Sequence, residues 1–405
     1  MKFHFFHLMP WPDLPDTFTE DYRSVWIDAP AGKLYEPARG HQLYNDYLDT
    51  LEAAEGLGFD SIGVNEHHSN AYGLMPSPNL MAAALARRTS RAKILVLGDS
   101  AALYNPPIRV AEELAMLDVL SGGRVIAGFP TGTPMDTVFA YGQNPATLRD
   151  RYREAVSLIL KAWTAEETFT WNGRFTKLRY VNVWPRPVQT PHPPVWVPGS
   201  GSVETWDYCL DNDFLYAYLS FFGYQRSRAI MEGFWEAVAR HGAEPNPYRT
   251  AFVQFVGVAE NDAEAERLYA PHAEYFYNRC LHVYPGYLDP PGYTSTETLR
   301  RGVQRSLSGE RRETQQHTWK QIVDAGMVVA GSPATVAEQL EEVVKGLRFG
   351  HLIVQCHMGS MPKETALYNL TRFAEEVMPR LRGQFGEWED RWWPRQAAGV
   401  GADER

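Results

Sequence analysis

Between Lys2 and Phe129, four short β-prone runs alternate with stretches of helical spacing, and this alternation limits the possible folds most tightly. The runs are Lys2 to Leu8, Ser61-Ile62-Gly63-Val64, Ile94-Leu95-Val96-Leu97 and Val125-Ile126-Ala127-Gly128-Phe129. Helical spacing appears at residues 43–57, through Leu80, Ala84 and Leu85, at Ile108 to Leu120 and from about Pro145 to Trp163. Strands alternating with helices at this spacing imply βαβ units, right-handed crossovers and a parallel sheet. No Gly-x-Gly-x-x-Gly comes after the first strand. The dinucleotide-binding fingerprint is therefore absent, which favours a closed barrel over a doubly wound sheet. The expected fold class is α/β, a (β/α)8 TIM barrel with insertions.

Further along, Pro194-Val195-Trp196-Val197-Pro198, Leu215–Leu219, Phe252–Val258 and His351-Leu352-Ile353-Val354-Gln355-Cys356 read as later strands. Asn172-Gly173, between aromatic residues, signals a hairpin. Met327 to Ala330 is another apolar run, and Ser332-Pro333 caps and opens the helix after it. Residues 10–40 and 275–325 break the alternation with Pro, Gly, Tyr and Trp. Long ordered loops of this kind are usually functional, and 275–325 is expected to fold over the barrel mouth. The chain divides as one domain over 1–385, with insertions at about 10–40, 166–192 and 275–325, and a tail at 386–405.

Composition excludes several partners. The formal net charge is −10 over 405 residues. An acidic chain without a basic tract suits neither nucleic acid nor an anionic membrane surface. No apolar stretch reaches the roughly 18 residues of a membrane span. The N-terminus lacks the features of a signal peptide. Cys209, Cys280 and Cys356 lie far apart without a CxxC, which fits a reducing cytoplasm.

Two stretches carry candidate chemistry. Ser61 to Val64 runs directly into Glu66-His67-His68. In an α/β barrel the C-terminal ends of strands face the active site. Either the histidines are simply packed, or one imidazole acts as acid, base or donor to a ligand. Metal binding is a third reading, but neighbouring strand residues point to opposite faces, so the two rings would not converge on one ion. Gly199-Ser200-Gly201-Ser202 empties a strand into a helix. Its small residues and the free N–H groups beyond them suit either an ordinary capped turn or a phosphate. Arg149, Arg151 and Arg153 oppose the dipole at the start of their helix, so acidic neighbours or a phosphate must compensate.

These residues, with Gly56-Leu57-Gly58-Phe59-Asp60, Asn105-Pro106-Pro107-Ile108-Arg109-Val110-Ala111-Glu112-Glu113, Ser121-Gly122-Gly123-Arg124-Val125 and Tyr141-Gly142, make a set that resembles the bacterial luciferase-like family of flavin-dependent monooxygenases. The resemblance runs from Met1 to about Arg382, apart from the loops at 10–40 and 275–325. It implies a (β/α)8 barrel with insertions, a homodimer, and reduced FMN (FMNH2) supplied by a separate flavin reductase. In the family O2 adds at the flavin C4a position and the resulting peroxide oxygenates a small organic substrate. The resemblance places His67 and His68 as catalytic, with Glu66 beside the flavin. It puts a non-proline cis peptide at Ser100-Ala101 under the ring, and a phosphate loop at Gly199, Ser200, Gly201 and Ser202. Arg149 becomes a phosphate contact. Thr131, in a Pro130-Thr131 pair where bacterial luciferase carries Cys-Arg, becomes a cofactor contact. The same barrel also serves F420-dependent hydride-transfer enzymes and flavin-binding proteins without turnover, and both remain open at this level.

Overall fold

The computed structural model describes residues 1–219, 221–296, 300 and 316–395. Eleven strands are found among them: β1 (Lys2–Phe6), β2 (Ser61–Val64), β3 (Lys93–Leu97), β4 (Val125–Gly128), β5 (Phe169–Asn172), β6 (Lys177–Val181), β7 (Val195–Gly199), β8 (Leu215–Tyr218), β9 (Thr250–Val258), β10 (Val328–Gly331) and β11 (His351–Gln355). Eight of these form a parallel ring in the order β1-β2-β3-β4-β7-β8-β9-β11, closed by the pairing of β11 with β1. The fold is a closed (β/α)8 TIM barrel. Helices over Pro37–Gly56, Pro78–Arg88, Ile108–Ser121, Pro145–Thr164, Val203–Asp211, Tyr224–Arg240, Pro333–Leu347 and Lys363–Arg372 surround it. Ring strands are buried along nearly their whole length, with β2, β4 and β8 buried at every position. That burial explains why they read as unbroken apolar runs, since sheet and helices cover both faces.

Local signals place the helix ends. Gly122, at φ 69°, ends the helix Ile108–Ser121, because a left-handed residue there costs glycine little. Ser332 caps Pro333–Leu347 through the Thr335 N–H. Gly173 donates to Thr176 O across the β5–β6 turn. The Glu154 carboxylate accepts the backbone N–H groups of Arg174, Phe175 and Thr176, which docks that hairpin on the helix Pro145–Thr164.

Three long-range features depart from the reading by runs and periods. β10 stands outside the ring. At nine residues, β9 is long enough to pair with β8 through Thr250–Phe252 and with β10 through Phe255–Val258. Residues 10–40 are not one loop: they hold short helices at Phe18–Asp21 and Ala31–Leu34, and the next long helix already starts at Pro37. The tail is in part a plug. Trp392 is buried, accepts the Trp196 indole N–H on its carbonyl at 3.2 Å, and donates its own to Asp213 O at 2.9 Å. Trp393 lies against His4 and His351.

That plug covers polar groups at the barrel floor. His4 Nδ1 meets Ser61 Oγ at 2.6 Å, and its Nε2 meets His351 Nδ1 at 3.1 Å. Burial, with His351 adding to it, pushes the His4 imidazole well below its usual range. Removing the plug would let water reach this pair. Trp392→Ala is expected to lower stability by about 3 kcal/mol, read as a lower midpoint in urea with an unchanged slope.

Candidate active site

The C-terminal rim of the barrel gathers side chains from loops that are remote in sequence. Glu66, His67 and His68 come directly after β2, and the His67 N–H donates to Met75 O, closing the loop below them. His67 Nδ1 lies 2.7 Å from Asp136 Oδ2. The other Asp136 oxygen accepts the His68 backbone N–H at 2.9 Å, and Thr133 Oγ1 donates to the first. Burial drives the Asp136 carboxyl upward, but the facing His67 ring and these three hydrogen bonds outweigh it, and the group falls below its usual range. With Nδ1 engaged, Nε2 is the His67 nitrogen a ligand would meet.

His68 takes different partners, as expected for adjacent residues that diverge. Its Nε2 lies 2.7 Å from Glu66 Oε1, and its Nδ1 lies 3.1 Å from the Tyr141 hydroxyl. Glu66 also accepts the Ser100 N–H and the Tyr104 hydroxyl. Ser100 is therefore beside the Glu66-His67-His68 group, and Ala101 is fully buried just beyond it. The expected cis bond is not at Ser100-Ala101. The non-proline cis peptide is Leu97-Gly98, at the end of β3. There the backbone of β3 runs hard against β4: a Cβ on Gly98 would sit 2.0 Å from Gly128 O. A tight approach of this kind admits only glycine. Residue 100 instead precedes a short 3-10 turn, Ala101–Leu103.

An aromatic layer surrounds His67. The Trp26 and Tyr72 rings stack at 4.2 Å, and both meet the imidazole edge-on. Tyr72 continues to Phe221 and Phe276. Trp26 comes from the 10–40 insertion and Phe276 from the 275–325 insertion. The latter crosses the mouth: Val283 bridges to Ser24 on one side, and Tyr293 donates to Gly132 O at 2.6 Å on the other. Most of its second half, residues 297–299 and 301–315, lies outside the described residues.

The Gly199-Ser200-Gly201-Ser202 turn sits on the same rim, after β7. Ser202 caps the helix Val203–Asp211 by accepting the Thr205 N–H. Gly201 has φ +110°, and a Cβ there would press on Ile230 at 2.8 Å. Ser200 is exposed and Gly199 half-buried. Thr131 and Arg149 line a narrow cleft together with Val197 and Thr205, so the β4 loop, the Pro145–Thr164 helix and the Val203–Asp211 helix meet there. Of the other two arginines, Arg151 donates to Ala102 O, and Arg153 covers the Tyr208 ring. Asp136 belongs to none of the sequence motifs. The available signal was a lone acid in the apolar run Pro134 to Phe139.

A family model described as luciferase-like monooxygenase matches residues 25–348. The chain belongs to the luciferase-like monooxygenase family. Limonene 1,2-monooxygenase of Rhodococcus erythropolis is 25% identical over 84% of this chain and 82% of its own length. The oxygenase component of a flavin-dependent trigonelline monooxygenase of Acinetobacter baylyi is 31% identical over 38% of this chain and 43% of that protein. Among solved structures, the FMN complex of the oxygenating constituent of 3,6-diketocamphane monooxygenase from Pseudomonas putida superposes with a TM-score of 0.66. It is 20% identical, covering 94% of this chain and 98% of that one. An F420-dependent secondary alcohol dehydrogenase gives 0.62 at 19% identity, over 94% and 99%. The luciferase-like chain is thus an oxidoreductase of the monooxygenase type.

Asp136 ties the loop after β2 to the loop after β4. Asp136→Ala leaves the His67 ring N–H and the His68 backbone N–H without an acceptor, and is expected to cost about 2 kcal/mol at neutral pH. Because the folded-state carboxyl lies below its usual range, its contribution is present above that range and lost as pH falls through it. The gap between wild type and Asp136→Asn in denaturant midpoint should accordingly narrow on acidification.

Proposed function

We propose that this chain is the oxygenase component of a two-component monooxygenase that uses reduced FMN and O2 on an apolar or aromatic small molecule. The observation that carries this reading is His67, held by Asp136 within an aromatic layer on the same rim as the Gly199–Ser202 turn. Three inter-strand steps separate β2 from β7, roughly 14 Å of barrel wall, a span suited to a ring at one end and a phosphate at the other.

The residues fit such a group. Ser200, Ser202 and the first turn of the helix Val203–Asp211 stand at a positive dipole end. Arg149 supplies a cation from the neighbouring helix, and Thr131 stands in the same cleft. Glycines at 199 and 201 allow close backbone approach. Reduced FMN, when bound, supplies the oxygen-activating chemistry. The chain's part is to orient and to exclude water. Trp26, Tyr72, Phe221 and Phe276 form the apolar surround, and the insertion crossing from Ser24 to Gly132 covers it. His67 Nε2 is the group that would hold or move a proton beside the ring, with His68 behind it and Glu66 and Ser100 supporting His68. Ala101, buried at the start of the turn after Ser100, stands with them on the cofactor side in this reading.

The test mixes protein-bound reduced FMN with O2. Reoxidation slower than that of free reduced FMN supports the reading, and a rate equal to the free one sinks it. Once a substrate is found, His67→Ala should lower oxygenation about 100-fold while leaving FMN binding in place. The F420 reading draws on likeness to the F420-dependent alcohol dehydrogenase and to an F420-dependent glucose-6-phosphate dehydrogenase of Intrasporangium calvum, 32% identical over 38% of this chain and 48% of that one. Affinities measured for FMN and F420 side by side separate the two.

A homodimer is part of the proposal. Leu80 is 67% exposed and Met116 58%, and Val119 and Leu120 join them on the adjacent helices Pro78–Arg88 and Ile108–Ser121. Met116, Val119 and Leu120 share one helical face by their spacing, and clustered apolar exposure marks an interface. Light scattering should give twice the chain mass for wild type and the single mass for a Met116→Glu, Leu120→Glu double variant. We place the dimer in the cytoplasm with its reductase. All three cysteines are free and buried. No helix among the described residues is long and apolar enough to cross a membrane.

A further inference from the structure

Behind His68 lies a buried acidic cluster that the oxygenation chemistry does not call for. Asp99 comes just after the Leu97-Gly98 bond and is wholly inaccessible to solvent. Asp99 Oδ1 accepts the Asn79 amide at 3.0 Å and lies 3.4 Å from the Tyr104 hydroxyl. That same hydroxyl lies 3.2 Å from Glu66 Oε1. The Asn79 amide also donates to Glu113 Oε2 at 2.9 Å. Asp99 Oδ2 has no hydrogen-bond partner among the described residues. Of the three carboxyl groups, Glu66 and Glu113 have further donors in Ser100, His68 and Arg109, whereas the Asp99 side chain has only Asn79 and the shared Tyr104 hydroxyl.

We propose that Asp99 is a buried carboxylic acid that keeps its proton at neutral pH and so directs the hydrogen bonds running through Tyr104 and Glu66 to His68. Two geometric facts carry this. An ionised carboxylate spreads its charge over both oxygens, and an unpartnered, fully buried Oδ2 would leave part of that charge without solvation or donor. A neutral acid lowers that cost, because an unpaired polar group is far cheaper to bury than an unpaired charge. Proton counting gives the second. The Tyr104 hydroxyl has one proton for two acceptors, so it serves Glu66 or Asp99 and not both, and an Asp99 anion would then keep Asn79 as its one side-chain donor. The titratable groups facing Asp99 are Glu66 from the loop after β2, Glu113 from the helix Ile108–Ser121, and Tyr104. Arg109 pairs with Glu113, one partner removed. Burial, then Glu66 and Glu113, push the Asp99 carboxyl well above its usual range, in the same direction as the geometry.

The consequence reaches the rim. With Asp99 neutral, Tyr104 gives its proton to Glu66, the stronger acceptor. Glu66 is then an anion held by Ser100 N–H, Tyr104 O–H and His68 Nε2–H. His68 is fixed with its proton on Nε2. In the neutral ring, Nδ1 is left to accept from the Tyr141 hydroxyl. Tyr141, 46% exposed, then offers an incoming ligand an oxygen acceptor rather than a donor. Asp99 acts only through its neighbours and is a positioning residue.

Difference infrared spectroscopy on the unliganded protein tests this apart from any flavin reaction. The expected result is a carboxylic C=O band at pH 7 that shifts in heavy water, is lost in Asp99→Asn and survives in Glu113→Gln. Folding of wild type should also take up about one proton relative to Asp99→Asn, because the acid is protonated when folded and ionised when unfolded. The melting temperature of wild type should then fall relative to the variant as pH rises above the ordinary carboxylate range. Absence of the band in wild type, its persistence in Asp99→Asn, or a melting difference that does not change with pH overturns the proposal. Should Asp99→Asn fail to fold, a wild-type band that survives in Glu66→Gln, in Glu113→Gln and in Asp118→Asn, Asp118 being another buried carboxyl that burial pushes upward, supports it, and one lost in any of them overturns it.

Discussion

Closure of the ring is the constraint on which everything else depends. β9 pairs with β8 on one side and β11 on the other, and β11 pairs in turn with β1. A parallel sheet closed this way has no edge, and all of its strands point to one rim. His67, Asp136, Ser200 and Phe221 come from four different strand ends, and closure alone puts them around one mouth. Were the sheet open, the first strand and β11 would stand at opposite edges.

On that rim, buried carboxylates do the organising. Asp136 bridges two loops with three hydrogen bonds and orients His67. Glu66 does the same for His68 and the β3 loop. Each anion is surrounded by donors, which is how buried charge is tolerated. The two histidines are thereby held by separate acids and face separate neighbours. That division gives the two imidazoles different partners, Asp136 for one and Glu66 with Tyr141 for the other.

The two ends of the barrel are treated differently. The floor is sealed by Trp392 and Trp393 over a pair of buried histidines. The mouth is roofed by an insertion anchored at Ser24 and Gly132. Side chains thus close the barrel at its floor, while at its mouth an insertion from outside the ring supplies the cover.

The sequence by itself determined the elements and their caps. Strand–helix alternation specified the barrel, and Ser332-Pro333 marked a helix start, because hydrogen bonds a few residues apart decide such ends. It also put His67 at a strand end, since residues just past a ring strand lie at the rim. Only the tertiary structure decided that Asp136, 69 residues away, is the partner of His67, that β10 stands outside the ring, that the cis bond is Leu97-Gly98 rather than Ser100-Ala101, and that the tail plugs the floor. These depend on which loops closure brings together and on how closely β3 approaches β4, distances that no local pattern of residues encodes.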